Sequence, residues 1–384
     1  MSIDLFDVAV PEDKLHPLFK QVLTEPSYKK THSILNSWGQ GLLGRKGEAT
    51  KFLKEFQTTF NSSFWELYLN QAFKDLGYEI DYSKASPDFN LVGHNDRKIS
   101  VEAVTSNPRN IEDLSLKNIG DNFLDEATLK LAGKIRDKHK LYVGDGKKKH
   151  PYASLEHVKG NPFVLAVAPF DRSFAQTQNN TAINRVLYGL EPPTGHQSRQ
   201  KTVAYIPNRN GQNIDLGIFT NDSYKEISAV IFSTTGTFGK AVVQAGTASF
   251  MRVTRLRKMG IVEFLAKEGY DKIGRSLNEV SEGYTVGSER VFEGFDVCGH
   301  DMFIYDTQYH NETHLDGLQI YHNPYALEPL NTDDFKCREV VHYYYDTETG
   351  EMLMPDSQRS ALSVSTCLVI TVQCFSKVVA LLTT

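Results

Sequence analysis

Ala85-Ser-Pro-Asp-Phe-Asn-Leu-Val-Gly-His-Asn-Asp-Arg-Lys-Ile-Ser-Val-Glu-Ala-Val-Thr105 is the stretch whose reading decides the fold of this chain. Asn90-Leu-Val is short and apolar, Gly93-His-Asn-Asp96 is a cluster of turn formers, and Lys98 to Val104 is again β-prone, which predicts a tight hairpin. Side chains on a strand alternate faces, so Ile99, Val101 and Ala103 point one way and Lys98, Ser100, Glu102 and Val104 the other. Asp88, just after Pro87, opens the preceding strand. Paired strands lie about 4.8 Å apart, so the carboxylates of Asp88 and Glu102 can converge on one cation. Two hard oxygen ligands with the other positions left to water and phosphate suit Mg²⁺ or Mn²⁺. Acids on exposed strand faces are common without any metal, and the weight of the reading rests on what flanks the hairpin.

Upstream, Ser63 to Leu76 reads as a helix with Trp65, Leu69, Ala72, Phe73 and Leu76 as its apolar stripe and Gly77 as its stop. Ser63 and Glu66 have the S-x-x-E spacing of a capping box, in which the Glu66 carboxylate bonds the backbone of Ser63. The competing reading is that Glu66, seven residues from Phe73 and nearly eclipsed with it, faces inward at the edge of the stripe. Tyr78 to Tyr82 reads as a strand. Downstream, residues 121–142 predict a long helix ended by Gly144-Asp-Gly146. Asn161-Pro-Phe-Val-Leu-Ala-Val-Ala-Pro169 is a continuous apolar run that suits a strand buried on both faces, and Thr181 to Leu190 predicts a further helix.

This order of elements, with Glu66 on the helix, Pro87-Asp88 at the second strand and Ser100-Val-Glu102-Ala-Val on the third, resembles the PD-(D/E)XK nuclease superfamily, the restriction-endonuclease-like fold, over roughly residues 60–190. The resemblance implies an α/β core of a mixed central sheet flanked by helices. It implies a metal held by Asp88 and Glu102, with Glu66 binding through water or completing the shell. The family's lysine stands two residues after the glutamate, and that position is Val104 here. Some members supply the lysine from another element. Lys130, Lys134 and Lys138 recur every four residues on one face of the following helix, and Lys134 or Lys138 is the expected substitute. Lys98 shares the face of Glu102 but lies four residues away, about 13 Å along a strand.

At 384 residues the chain is long enough for two domains, or for one with large additions, and an apolar content of 40% implies a buried core. The expected division is a helical N-terminal extension over 1–60, the nuclease-like core with basic additions over 61–260, an acidic α+β extension over 261–356 and an apolar tail over 357–384. Charge follows these divisions. Residues 97–260 carry 24 Lys and Arg against 14 Asp and Glu, and the remainder 18 against 33, so a middle of +10 is offset by −15 elsewhere. A basic region beside the acid pair suits a polyanion, because neutralising phosphates and releasing their counterions supplies sequence-independent affinity for nucleic acid.

Cys298, Cys337, Cys367 and Cys374 have neither metal-ligand nor disulfide-framework spacing, and the acidic start is unlike a signal peptide, so a reducing cytoplasm is the expected home. Lys147-Lys-Lys-His150 and the cluster Arg252, Arg255, Arg257 and Lys258 offer phosphate contacts, with a solvated basic surface as the plainer reading. Asp296 to His322 holds His300, Asp301, Asp306, His310, His314 and Asp316, but its residues lack the H-E-x-x-H order, and no zinc is expected there. Val340 to Tyr345 and Glu351 to Met354 predict a hairpin around Asp346-Thr-Glu-Thr-Gly350. Ala361 to Leu382 is long and apolar enough to span a bilayer, yet Gln373, Ser376 and Lys377 interrupt it, so a buried or poorly ordered tail is expected rather than a membrane anchor.

The function expected from the resemblance is Mg²⁺- or Mn²⁺-dependent hydrolysis of phosphodiester bonds, in DNA rather than RNA, with a role in restriction or defence. A homodimer is left open. The alternative is a nucleic-acid-binding or scaffold protein that keeps the fold without the chemistry, for which Val104 is the best argument.

Overall fold

A computed structural model of the protein describes residues 3–45, 47–107, 123–144, 150–170, 180–191, 200–253, 283–286, 289–297, 300–354 and 373–374. Four helices open the chain: α1 (Pro17–Thr24), α2 (Thr31–Trp38), α3 (Ala49–Thr58) and α4 (Phe60–Asp75). Then come β1 (Glu79–Ile80), β2 (Phe89–Val92), β3 (Lys98–Ser106), α5 (Phe123–Val143), β4 (Phe163–Pro169), α6 (Thr181–Tyr188), β5 (Ala229–Phe232), α7 (Phe238–Gln244), β6 (Gln319–His322), β7 (Val341–Tyr345) and β8 (Met352–Leu353). The eight strands form one mixed sheet in chain order, β1 to β8. β3, β4 and β5 are parallel neighbours joined by crossings that contain α5 and α6, as parallel pairing requires.

The hairpin forms as its turn formers dictate. β2 and β3 are antiparallel with Phe89 opposite Val101 and Val92 opposite Lys98. Asn95 and Asp96, at φ 59° and 56°, take the left-handed conformation that Asn and Asp tolerate better than most residues.

Alternation along β3 and β4 builds two cores. Val101, Val164, Ala166 and Ala168 pack with α4 and the N-terminal helices on one side. Val104, Phe163, Leu165 and Val167 pack with α5 and α6 on the other. Every residue of β4 is buried, as its unbroken apolar run requires.

α4 departs from expectation at its start. It begins at Phe60, three residues before Ser63, which is buried inside the helix, and no side chain caps its first turn. The capping box of Ser63 and Glu66 therefore does not form. The helix is also buried more broadly than one stripe, through Phe64, Trp65, Leu67, Tyr68, Leu69, Ala72 and Phe73, because the sheet lies on one side and α2 and α3 on the other. Its end is as read: Gly77 at φ 82° donates to Lys74 O and Tyr78 N donates to Phe73 O, the two bonds of a Schellman stop.

The described part of residues 1–60 is irregular up to α1 and mainly helical from there on, and its apolar side chains share one core with α4 and the sheet. Within 261–356, β6 and β7 are central strands and β8 pairs with β7 as the expected hairpin, so this acidic segment completes the main sheet rather than standing beside it. A second antiparallel sheet contains 250–253, 283–286, 289–297, 300–306 and 373–374. Phe250–Val253 is thus a strand, and Arg255, Arg257, Lys258, Lys147, Lys148 and Lys149 lie outside the described residues. So does the apolar tail, except for Gln373–Cys374. Among the described residues no helix is long and apolar enough to cross a membrane.

Candidate active site

The register of the hairpin sets the site. One step beyond the Phe89–Val101 pair, Asp88 stands opposite Glu102, so the two acids occupy neighbouring positions on the sheet face covered by α5. Asp88 Oδ2 accepts the backbone N–H of Ala103 at 2.8 Å, which pins its carboxylate over β3. Glu102 is only 3% exposed. Its Oε1 accepts from Lys138 Nζ at 2.6 Å and from the Tyr152 hydroxyl at 3.3 Å, while its Oε2 is buried with no hydrogen-bond partner among the described residues. A buried carboxylate oxygen left without a donor costs free energy unless something binds it.

Lys138 and Lys134 part company on α5. The buried residues Leu131, Ile135 and Tyr142 make a stripe of helical spacing, and Lys138, three after Ile135 and four before Tyr142, continues it. Its aliphatic stem runs inward and its ammonium reaches the sheet. Lys134 lies off that stripe and is exposed, Lys130 is half-buried a turn earlier, and Lys98 is exposed on β3. Of the lysines on this helix, Lys138 is the one hydrogen-bonded to Glu102.

Glu66 is half-buried on α4 and acts electrostatically on Asp88 and Glu102. Glu66, Asp88 and Glu102 do not bring three oxygens within 4.8 Å of one another, so a single ion touched directly by all three is not preformed. Burial, then the charge of Asp88, holds the Glu66 carboxyl well above the usual carboxylate range. Burial, then Glu102, pushes Asp88 up to about 7. Burial pulls the Lys138 ammonium down, but the adjoining Glu102 outweighs it and the net shift is upward, so Lys138 stays charged at neutral pH. Tyr152 is shifted upward by burial and then by Glu102, which keeps its hydroxyl a donor.

Two of these groups carry no mark in the sequence. Tyr152 sits in a short turn before β4, with no periodicity to single it out. Arg45 follows the turn at Leu42–Gly44 far upstream, yet it lies close enough to Glu66 and Asp88 to favour their charged forms, and its Nε is buried without a hydrogen-bond partner among the described residues.

Comparison of the chain with family models, with curated proteins and with solved structures finds no match. Two opposed carboxylates, one with an unpartnered oxygen, suit a hard divalent cation such as Mg²⁺ or Mn²⁺. A charged lysine at their edge and a nearby guanidinium whose Nε has no hydrogen-bond partner among the described residues suit an anionic group held against that cation.

Proposed function

We propose that this protein is a metal-dependent nuclease of the restriction-endonuclease-like kind, acting on DNA. The observation that carries the reading is the Lys138–Glu102 contact of 2.6 Å, which supplies from α5 the lysine that the sequence lacks at Val104. The element order α4, β1, β2, β3, α5, β4, α6 also agrees with the resemblance, and fold analogy of this kind supports a chemistry without establishing it.

Asp88 and Glu102 would hold Mg²⁺ or Mn²⁺, and Glu66 would reach it through water. When bound, such an ion lowers the pKa of a water and neutralises charge developing on phosphoryl oxygens. The chain's own groups do the rest. Lys138 would stay protonated and stabilise the extra negative charge as the oxygen of water, its proton released to solvent, joins phosphorus and the bond to the departing oxygen breaks, the leaving oxygen taking a proton from solvent. Asp88 is oriented by the Ala103 N–H, and Arg45 faces the same acids with donors to offer a phosphate. The net positive charge of residues 97–260 favours a polyanionic substrate.

The reading is tested by incubating the purified chain with plasmid and with single-stranded DNA in Mg²⁺, Mn²⁺ or EDTA, beside Asp88→Asn and Glu102→Gln. Cleavage that needs the metal and is lost in both variants is expected. DNA binding with no cleavage under either metal would favour the second reading, a binding protein without chemistry, to which Val104 gives its support.

A further inference from the structure

The loop that delivers the chain to β6 carries a second group of potential ligands, on a different set of elements from Asp88 and Glu102. His310 Nε2 lies 3.5 Å from Glu312 Oε2 and 3.2 Å from Asp316 Oδ2. All three side chains are at most 9% exposed. Among the described residues this is the one group of three such side chains whose ligand atoms fall within 4.8 Å of one another.

A hydrogen bond accounts for the 3.2 Å contact of His310 with Asp316, but the same nitrogen stands 3.5 Å from Glu312 Oε2, beyond the roughly 2.7–2.9 Å to which a charge-assisted bond closes. Metal bonds of about 2.0–2.2 Å at tetrahedral angles instead put neighbouring ligand atoms about 3.3–3.5 Å apart, close to the spacing observed. Further bonds hold both carboxylates in place. Lys240 Nζ donates to Glu312 Oε1 at 2.7 Å, to Asp316 O at 2.8 Å and to Thr313 O, which leaves Oε2 as the glutamate oxygen facing His310. Thr313 N and Oγ1 donate to Asp316 Oδ2 at 2.8 and 3.1 Å. Outer bonds of this kind orient ligands and are a regular part of metal sites.

We propose that His310, Glu312 and Asp316 form a zinc site. One imidazole and two carboxylates in a tetrahedral spacing suit Zn²⁺ better than Mg²⁺, which asks for octahedral oxygen, and three protein ligands leave a fourth place for water. The ion fastens the turn between Asp306 and Leu318 beside α7, where Lys240 sits, and beside α4, whose Tyr68 hydroxyl donates to His314 O. It needs none of the nuclease residues.

The test uses the full chain stripped with a chelator, re-loaded with Zn²⁺ or Co²⁺ in excess Mg²⁺, dialysed, and analysed for bound metal and for the visible spectrum of cobalt. About one equivalent of zinc is expected in the wild type and equally in an Asp88→Asn/Glu102→Gln double variant, with the intense visible bands of tetrahedral cobalt. His310→Ala should bind at least tenfold more weakly. His310→Cys should keep the metal and add a thiolate-to-cobalt charge-transfer band, which reads the ligand directly even if the alanine variant folds poorly. A wild type that retains no zinc, zinc lost from the double variant instead, or a His310→Cys cobalt spectrum identical to wild type would each overturn the proposal.

Discussion

The protein contains two lysine–glutamate pairs of almost identical length in opposite surroundings. Lys138 meets Glu102 at 2.6 Å with the lysine 27% exposed, and Lys240 meets Glu312 at 2.7 Å with both side chains fully buried. Lys240 has two backbone carbonyls as additional acceptors, whereas Glu102 is the acceptor Lys138 has among the described residues, and Glu102 keeps one oxygen unpartnered. The Lys240–Glu312 pair is dry, its ammonium is taken up by three acceptors, and it holds its loop in place. The Lys138–Glu102 pair is partly open to solvent with one oxygen to spare, which is the condition for handling a substrate.

The largest effect that sharpens this contrast is on stability. Lys240→Met removes one partner of a dry ion pair and should cost about 3–5 kcal/mol, because Glu312 is left buried without the Lys240 ammonium. Chemical denaturation measures it, and a loss below about 1 kcal/mol would erase the distinction between the pairs.

The next effect is on pH dependence. Asp88 at about 7 in the folded chain, against 3.8 ordinarily, means that the metal-free native state holds a proton that the unfolded state has released. Stability therefore falls as pH rises from about 4 to about 7, and the cost is complete above 7. A cation bound to Asp88 and Glu102 must displace that proton, so Mg²⁺ or Mn²⁺ should raise the melting temperature more at pH 8 than at pH 5.5. Equal shifts at both values would contradict the linkage.

Asp88→Asn should relieve the same repulsion and stabilise the metal-free chain at pH 8 by on the order of 1 kcal/mol, with less gain at pH 5. Smallest of all, Tyr152→Phe removes one hydroxyl bond to Glu102 and should cost about 0.5–1.5 kcal/mol while leaving cleavage detectable.

What the sequence revealed follows from how local each signal is. The hairpin and the pairing of Asp88 with Glu102 were legible because turn formers and two-residue alternation act over neighbouring residues. The choice of Lys138 over Lys134 was also legible in principle, since only Lys138 falls on the stripe of Leu131, Ile135 and Tyr142. The start of α4 was misread because S-x-x-E spacing describes a cap only where the backbone begins a helix, and packing of Phe60 on Phe56 of α3 draws the helix earlier. Arg45, Tyr152 and the grouping of His310 with Glu312 and Asp316 were not legible. Arg45 and Tyr152 reach the site only through tertiary packing, and the loop between Asp306 and Leu318 has no helical or strand period from which to tell which side chains converge. The eight-stranded sheet was hidden for the same reason, because β6 pairs with β5 across more than eighty residues of chain.

The most direct test of the account is DNA cleavage by Lys138→Met in Mg²⁺, measured beside its melting temperature and its DNA affinity. The account predicts a fall in cleavage of about 10²–10³-fold, the scale for losing one group that stabilises charge in a transition state, with DNA binding retained and a loss of stability smaller than that of Lys240→Met. Cleavage at the wild-type rate would show that the lysine against Glu102 is structural and that the chemistry proposed here is wrong.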